Sequence, residues 1–160
     1  MSKKIQLTKD QFTIVDDEDY EHLIQWKWHS SSNSNGRFYA VRTGKMKEAR
    51  KQFRIHRVIT DCPEGLVVDH INHDTLDNRK INLRICTQQQ NTYNNANVRK
   101  KMYSRHKGVS FNKSANKYTA QIRVQKRLIH LGCFADEGSA GMAYQLAAKE
   151  YYGEFAYSGE

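Results

Sequence analysis

Short apolar runs separated by polar loops make up the first part of the chain. A helix is predicted over 20–27, because the acidic run 16–19 precedes it and carboxylates favour a helix N-terminus. A strand is predicted over 38–41 and a polar loop over 30–36. The apolar stretch 53–60 fits either a strand or a helix. This part is therefore expected to be mixed α+β.

The segment 65–98 has the pattern of a β-hairpin followed by a helix. Its predicted elements are a strand over 66–68, a loop rich in Asn and Asp over 72–78 and a second strand over 81–86. Thr87 and Gln90 have the spacing of a capping box, so a helix should follow with Asn91 in its first turn.

The last part predicts a three-stranded antiparallel sheet packed on one helix. Its strands are expected over 109–111, 118–124 and 128–131, and its helix from Asp136 onward. Small and aromatic residues recur with helical spacing and predict one buried face: Ala140, Ala143, Tyr144, Ala147, Ala148 and Tyr151. Gln125 and Lys126 stand at the second hairpin turn, where an Asn-Gly pair would be more usual.

These patterns predict an α+β protein of two linked modules. The first covers 1–98, with its hairpin and helix at about 65–98. A basic linker follows at 99–102, and the second module covers 103–160.

Charge is distributed unevenly along the chain. The net charge is +9, and no acidic residue lies between Asp77 and Asp136, a stretch that holds 13 of the 26 Lys and Arg residues. Such an excess attracts polyanions. A solvated basic face is the alternative, but the interleaved aromatic, Asn and Gln residues favour a nucleic-acid surface.

Three scattered cysteines indicate free thiols in a reducing compartment rather than a structural zinc site. The sequence has no apolar stretch of membrane-spanning length and no signal-peptide pattern. An intracellular protein is expected, in the cytoplasm or nucleoid of a bacterial or phage-infected cell.

Four polar residues of the middle segment could form a hydrolytic centre. Asp69 and His70 end the first strand, Asn82 lies twelve residues after His70, and Asn91 lies twenty-one after it. A carboxylate and an amide oxygen are hard ligands suited to Mg²⁺ or Mn²⁺. His70 can take a proton near neutral pH. Adjacent strand residues face opposite ways, so the Asp69–His70 pair needs a local bend, or His70 reaches from the loop rim.

The motifs Asp69-His70, Asp77-Asn78-Arg79, Asn82-Leu83-Arg84 and Asn91 resemble the HNH family of ββα-metal nucleases, in particular phage and intron homing endonucleases. The resemblance implies that His70 is the general base and that Asp69 and Asn91 bind a single Mg²⁺, with Mn²⁺ possible. It places Asn82 in the catalytic set as a brace of the hairpin. His73 is interpreted as a bystander and His56 as structural.

The segment 103–158 resembles the Apetala-two (ethylene-response-factor) DNA-binding domain. The match rests on Lys107-Gly108-Val109, Ala120-Gln121-Ile122-Arg123, Leu131-Gly132-Cys133-Phe134 and Tyr152-Gly153-Glu154. It implies that the sheet enters the major groove. The DNA contacts expected in the two modules are Arg79, Arg84, Arg105, Lys107, Ser110, Asn112, Lys113, Lys117, Tyr118, Gln121, Arg123 and Arg127.

Together these features predict a monomeric endonuclease that cuts duplex DNA near the sequence held by its C-terminal module. A non-catalytic DNA-binding regulator with a degenerate nuclease fold is the main alternative. An RNA-binding protein is favoured by charge alone. The presence of Asp69, His70 and Asn91 favours the enzyme over these two alternatives.

Overall fold

The computed structural model describes residues 1–46, 49–95 and 104–157, without the side chains of Met46 and Ala49. The backbone contacts divide the chain into two compact units, Met1–Gln88 and Gln89–Glu160. The basic linker predicted at 99–102 lies outside the described residues, so the module boundary remains a prediction.

Two small antiparallel sheets and two short helices precede the central hairpin. They are β1 (Ser2–Gln6), β2 (Phe12–Asp16), α1 (Asp17–Leu23), β3 (His29–Ser32), β4 (Phe38–Met46), β5 (Ala49–Arg54) and α2 (Ile55–Thr60). Strand β1 pairs with β2, and the other three strands form a sheet in the order β3-β4-β5.

The core of the N-terminal unit lies between these elements. Its buried members are Ile5, Leu7, Val15, Leu23, Trp28, Ala40 and Ile55. The indole N–H of Trp28 donates to the carbonyl of Leu23 at 2.8 Å. This bond satisfies the one polar atom of a ring that is only 3% exposed.

Several N-terminal elements differ from the sequence prediction. Helix α1 begins within the acidic run itself and ends at Leu23, not at residue 27. Strand β3 occupies the start of the predicted polar loop, because its serines pair with β4. The ambiguous stretch 53–60 contains the end of β5 and the whole of α2.

A two-stranded hairpin carries the central motif. It consists of β6 (Val67–His70) and β7 (Leu83–Cys86), which pair in antiparallel register with Asp69 opposite Arg84. A 3-10 turn over Lys80–Asn82 precedes β7, and helix α3 (Gln88–Tyr93) follows it. The predicted order of strand, loop, strand and helix is present in the structure.

The C-terminal unit contains a three-stranded antiparallel sheet packed against one long helix. The elements are β8 (Val109–Asn112), β9 (Lys117–Val124), β10 (Arg127–Phe134) and α4 (Glu137–Tyr152), with β9 central. Asp136 caps α4 by accepting a hydrogen bond from the Ser139 N–H at 2.8 Å. The predicted helix start is therefore correct.

Helix α4 lies close to the sheet along a row of residues spaced by four. Ala140, Tyr144, Ala148 and Tyr152 are all buried. The predicted face ended instead at Tyr151, which is 46% exposed. Gly108 makes the close approach possible, since it has a φ of +73° and a Cβ there would stand 2.2 Å from the ring of Tyr144.

The protein thus combines several small antiparallel sheets with few helices, which confirms the mixed α and β composition predicted from the sequence. Among the described residues, no helix combines the length and apolar character needed to cross a bilayer.

Candidate functional site

The loop between β6 and β7 is fixed along one side by strand β2. The Ile14 N–H donates to the carbonyl of Leu76 at 2.9 Å, and the Asn78 N–H donates to the carbonyl of Ile14 at 2.7 Å. The buried Thr13 hydroxyl adds a bond of 2.7 Å to the Leu76 carbonyl. A loop held by both backbone and side-chain bonds can keep its polar groups in one position.

Asn78 connects this anchored loop to His70. The Asn78 side chain is fully buried and donates from Nδ2 to Thr13 Oγ1 at 2.7 Å. Its Oδ1 lies 3.2 Å from His70 Nε2. An amide oxygen only accepts hydrogen bonds, so this contact requires the proton on Nε2. The lone pair of the neutral imidazole is then on Nδ1.

His70 sits in an aromatic and largely dry environment. It is 6% exposed, and its ring centroid lies 5.1 Å from that of His56 and 6.5 Å from that of Tyr39. Burial lowers the pKa of His70 from its ordinary 6.5, although the Asn78 bond and the Asp69 charge oppose this effect. The imidazole is therefore neutral near pH 7 and able to accept a proton.

Asp69 is paired across the hairpin with Arg84. The guanidinium donates from Nε at 2.8 Å and from Nη2 at 2.6 Å to the same oxygen, Oδ2. The two side chains are only 7% and 12% exposed. Each buried charge is thereby compensated by the other. Asp69 contacts the neighbouring strand through Arg84. His70, the last residue of β6, contacts the loop through Asn78 and helix α2 through His56.

Asn82 bridges the two ends of the loop. Its Nδ2 donates to the Asp77 carbonyl at 2.7 Å, and its Oδ1 accepts from the Asn72 N–H at 2.9 Å. Asp77 also receives two bonds from the Arg79 guanidinium, at 2.7 and 2.6 Å. Both groups of the Asn82 side-chain amide are thus hydrogen-bonded to backbone atoms of the loop.

The expected metal ligands have the chemistry that a hard cation requires. Asp69 offers a carboxylate, and Asn91, half-buried on α3, offers an amide oxygen. Across the described ranges, no three His, Cys, Asp or Glu side chains come together as a possible metal site. A carboxylate and an amide oxygen are hard donors, so they fit Mg²⁺ or Mn²⁺ better than a softer cation such as Zn²⁺.

The central segment matches a known family. Residues 55–93 match the HNH endonuclease family, a range that begins with α2 and contains His70, Asp69 and Asn91. An uncharacterized HNH endonuclease of Acanthamoeba polyphaga mimivirus is 32% identical over 151 residues, covering 92% of this chain and 74% of the relative. The chain belongs to the HNH endonuclease family.

This assignment makes the protein a hydrolase that cleaves DNA, so the enzymatic prediction is confirmed. Members of the family generally use a divalent metal ion. No solved structure matches the chain.

The outer face of the C-terminal sheet of this HNH endonuclease carries several of the expected DNA contacts. Ala120 and Ile122 are buried on the α4 side, so the alternating residues Thr119, Gln121 and Arg123 lie on the opposite face. Their cross-strand neighbours there are Ser110, Leu128, His130 and Cys133.

Other expected contacts have different surroundings. Tyr118 packs with Phe111 and the core on the α4 side. The Asn112 Oδ1 accepts bonds from the turn that joins β8 and β9. The Lys107 Nζ donates to three backbone carbonyls. Lys113, Lys117, Arg105 and Arg127 are exposed. Their roles on DNA remain predictions.

Two residues beside His70 were not recognised as site residues from the sequence. Asn78 belongs to one of the motifs that carry the family resemblance, but the resemblance gave it no role, and no pattern marks it as the loop asparagine that becomes buried. His56 was interpreted as structural. The structure places its ring against His70, and burial lowers its pKa to about 3. Only the packing of α2 beside β6 brings these rings together.

His56 should make the stability of the enzyme sensitive to mild acid. Below its ordinary pKa of 6.5, His56 takes up a proton in the unfolded chain but stays neutral in the fold. Its stabilising effect is therefore complete above 6.5 and is lost progressively as the pH falls toward about 3. We expect the free energy of unfolding to fall by about 2 kcal/mol by about pH 5. His70 contributes in the same direction.

Urea denaturation between pH 7.5 and 5 measures this effect. His56→Gln should flatten the dependence, whereas His22→Gln, at an exposed imidazole of the same unit, should leave it unchanged. Equal wild-type stability at both ends of this range would contradict the role of burial.

Proposed function

We propose that this HNH endonuclease hydrolyses duplex DNA with His70 as general base and a single divalent cation bound by Asp69 and Asn91, and that it acts as a homing endonuclease. The observation that carries the proposal is the buried His70, whose ring is oriented by Asn78 on an anchored loop. A base must be both unprotonated and correctly directed to act at neutral pH.

In the proposed reaction, His70 Nδ1 takes a proton from a water molecule as its oxygen attacks the phosphorus. A new P–O bond forms while the bond to the departing 3′ oxygen breaks. The resulting imidazolium remains bonded to Asn78 Oδ1, and the Asp69 carboxylate next to it in the chain favours the positive charge. The base is thus held in one tautomer and stabilised in its protonated form.

Asp69 and Asn91 would hold the cation, which is Mg²⁺ in this proposal with Mn²⁺ as a substitute. When bound, it supplies positive charge that stabilises the scissile phosphate and the leaving oxygen. Arg84 keeps the Asp69 carboxylate in a defined orientation through its two bonds to Oδ2. Such outer partners commonly tune metal ligands.

The C-terminal unit is proposed to act as an Apetala-two-type DNA-binding module. Its three-stranded sheet on one helix supports this, as do the exposed Arg123 and Lys117 on the sheet. Arg can read guanine edges in the major groove, while Lys contacts phosphate. The enzyme would act as a monomer inside the cell and cut near the site that this sheet holds.

Replacing His70 should abolish cleavage while DNA affinity stays nearly unchanged. The base acts on the transition state, so His70→Ala should lower the single-turnover rate by about 10²–10⁴. Plasmid nicking with Mg²⁺, together with a DNA-binding titration, measures both quantities. His73→Ala in the same loop serves as the matched control and should cut normally. Full activity in pure His70→Ala protein would disprove the assignment.

Cleavage should require a divalent cation and should depend on Asn91. Asn91→Ala removes one ligand, so the Mg²⁺ concentration for half-maximal rate should rise about tenfold or more, because outer-sphere partners alone can cost 10–100-fold. Gln90→Ala, on the same helix, should leave the titration unchanged. Undiminished cutting in excess EDTA would rule out the mechanism.

We expect some residues of the sheet to recognise the DNA bases and others to contact the DNA phosphates. Arg123→Ala should reduce the preference for a target selected from random DNA over unrelated DNA. Lys117→Ala should weaken both about equally and reduce the slope of log affinity against log salt by about 0.9. Fluorescence anisotropy on the full chain measures these effects. An unchanged preference in Arg123→Ala would show that this residue does not read bases.

A further inference from the structure

The C-terminal end of helix α3 is held by a lysine of the C-terminal unit. Lys107 Nζ donates to the carbonyls of Tyr93 and Asn95 at 2.8 Å each, and lies 3.4 Å from that of Thr92. The last carbonyls of a helix have no partner within it, so the ammonium group satisfies atoms that would otherwise need water. Burial lowers the pKa of Lys107 to about 8, so it remains a cation at neutral pH.

An aromatic stack holds the same helix end. The rings of Tyr93 and Tyr152 are parallel within 7°, with centroids 3.8 Å apart. Tyr152 is itself fixed, because its hydroxyl donates to the Arg123 carbonyl at 2.7 Å. Tyr93 packs against the core cluster that contains Ile122 and Tyr144. From Gln89 onward, helix α3 is therefore part of the C-terminal unit.

We propose that Lys107, Tyr93 and Tyr152 form a clamp through which the C-terminal unit sets the position of Asn91 for cleavage. The inference rests on the proposed function, in which Asn91 binds the cation. These three are positioning residues, since none of them is assigned to the metal or to the reacting atoms.

The length of α3 makes such a clamp necessary. The helix has six residues, well below the 12–15 or so that an isolated helix needs for marginal stability in water. Asn91 directly precedes Thr92 and Tyr93, whose contacts form the clamp. A ligand displaced by about 1 Å can cost about 100-fold in rate. The clamp should therefore affect the rate of cutting rather than the affinity for DNA.

The sequence suggests a different role for Lys107, a contact to DNA phosphate, and the two roles have opposite signatures. A phosphate contact contributes to affinity and to its salt dependence, but not to the rate once DNA is saturating. A clamp residue contributes to the rate at saturation and leaves the salt slope unchanged.

The test compares Lys107→Met with Lys149→Met in the full-length protein. Lys107→Met should lower the single-turnover rate at saturating DNA by about 10- to 100-fold, with the dissociation constant measured without divalent cation unchanged within experimental error. Lys149→Met, at an exposed lysine of α4 outside the proposed DNA contacts, should keep both the wild-type affinity and the wild-type rate. The reverse result, weaker binding and a normal rate for Lys107→Met, would overturn the proposal.

Amide hydrogen exchange over residues 88–95 tests the clamp without relying on activity. Exchange there should be faster in Lys107→Met and in Tyr93→Leu, and unchanged in Lys149→Met. Tyr93→Leu carries the same rate and exchange tests if Lys107→Met does not fold. Unchanged exchange in either folded variant, or faster exchange with a normal rate, would refute the positioning role.

The outcomes separate this inference from the proposed function. If the wild-type protein does not cut DNA with any divalent cation, the proposed function fails, and exchange alone decides whether the clamp exists. If the wild type cuts and Asn91→Ala needs more Mg²⁺ to do so, while Lys107→Met cuts at the normal rate, only the inference fails.

Discussion

The hydrogen bond between His70 and Asn78 is the interaction on which the candidate site depends. It fixes the tautomer of a buried imidazole whose pKa burial lowers. Asn78 can serve this role because strand β2 holds its backbone and Thr13 holds its amide nitrogen. The N-terminal hairpin, which precedes the family match, is therefore part of the support of the site. A loop without this support would leave the imidazole free to rotate.

Buried charge in the hairpin is compensated before any substrate arrives. Arg84 places both of its described bonds on Asp69, and Arg79 places its guanidinium on Asp77. Each pair leaves the loop with little unbalanced charge. The exposed cations of the C-terminal unit include Lys117 and Arg123 of its sheet. A run of basic residues in the sequence does not show which arginines pair with buried carboxylates and which are exposed.

Helix α3 shows how a motif that is continuous in sequence can depend on a separate part of the fold. Its residues complete the family match at position 93, yet its C-terminal end packs on the core of the C-terminal unit. The backbone contacts separate the units at Gln88 and Gln89, whereas the module boundary predicted at 99–102 lies outside the described residues. The HNH motif and its supporting contacts therefore do not coincide with a single unit of the chain.

The sequence alone determined the mixed fold class, the order of the central hairpin and helix, the C-terminal sheet on one helix, and membership of an endonuclease family through short motifs. The elements follow from local periodicity, capping residues and turn chemistry, and the family follows from the resemblance of its motifs. Tertiary structure decided the rest. Strands β1 and β3 have few apolar residues and are defined by their partners, so no local pattern revealed them. Tyr152 rather than Tyr151 is buried because it lies on the α4 face that packs in the core with Ile122, where Tyr93 also stacks on it. Asn78, His56 and Lys107 acquired their places beside His70 or α3 from contacts with residues distant in sequence, and burial and hydrogen-bond geometry of that kind arise only when the chain is folded.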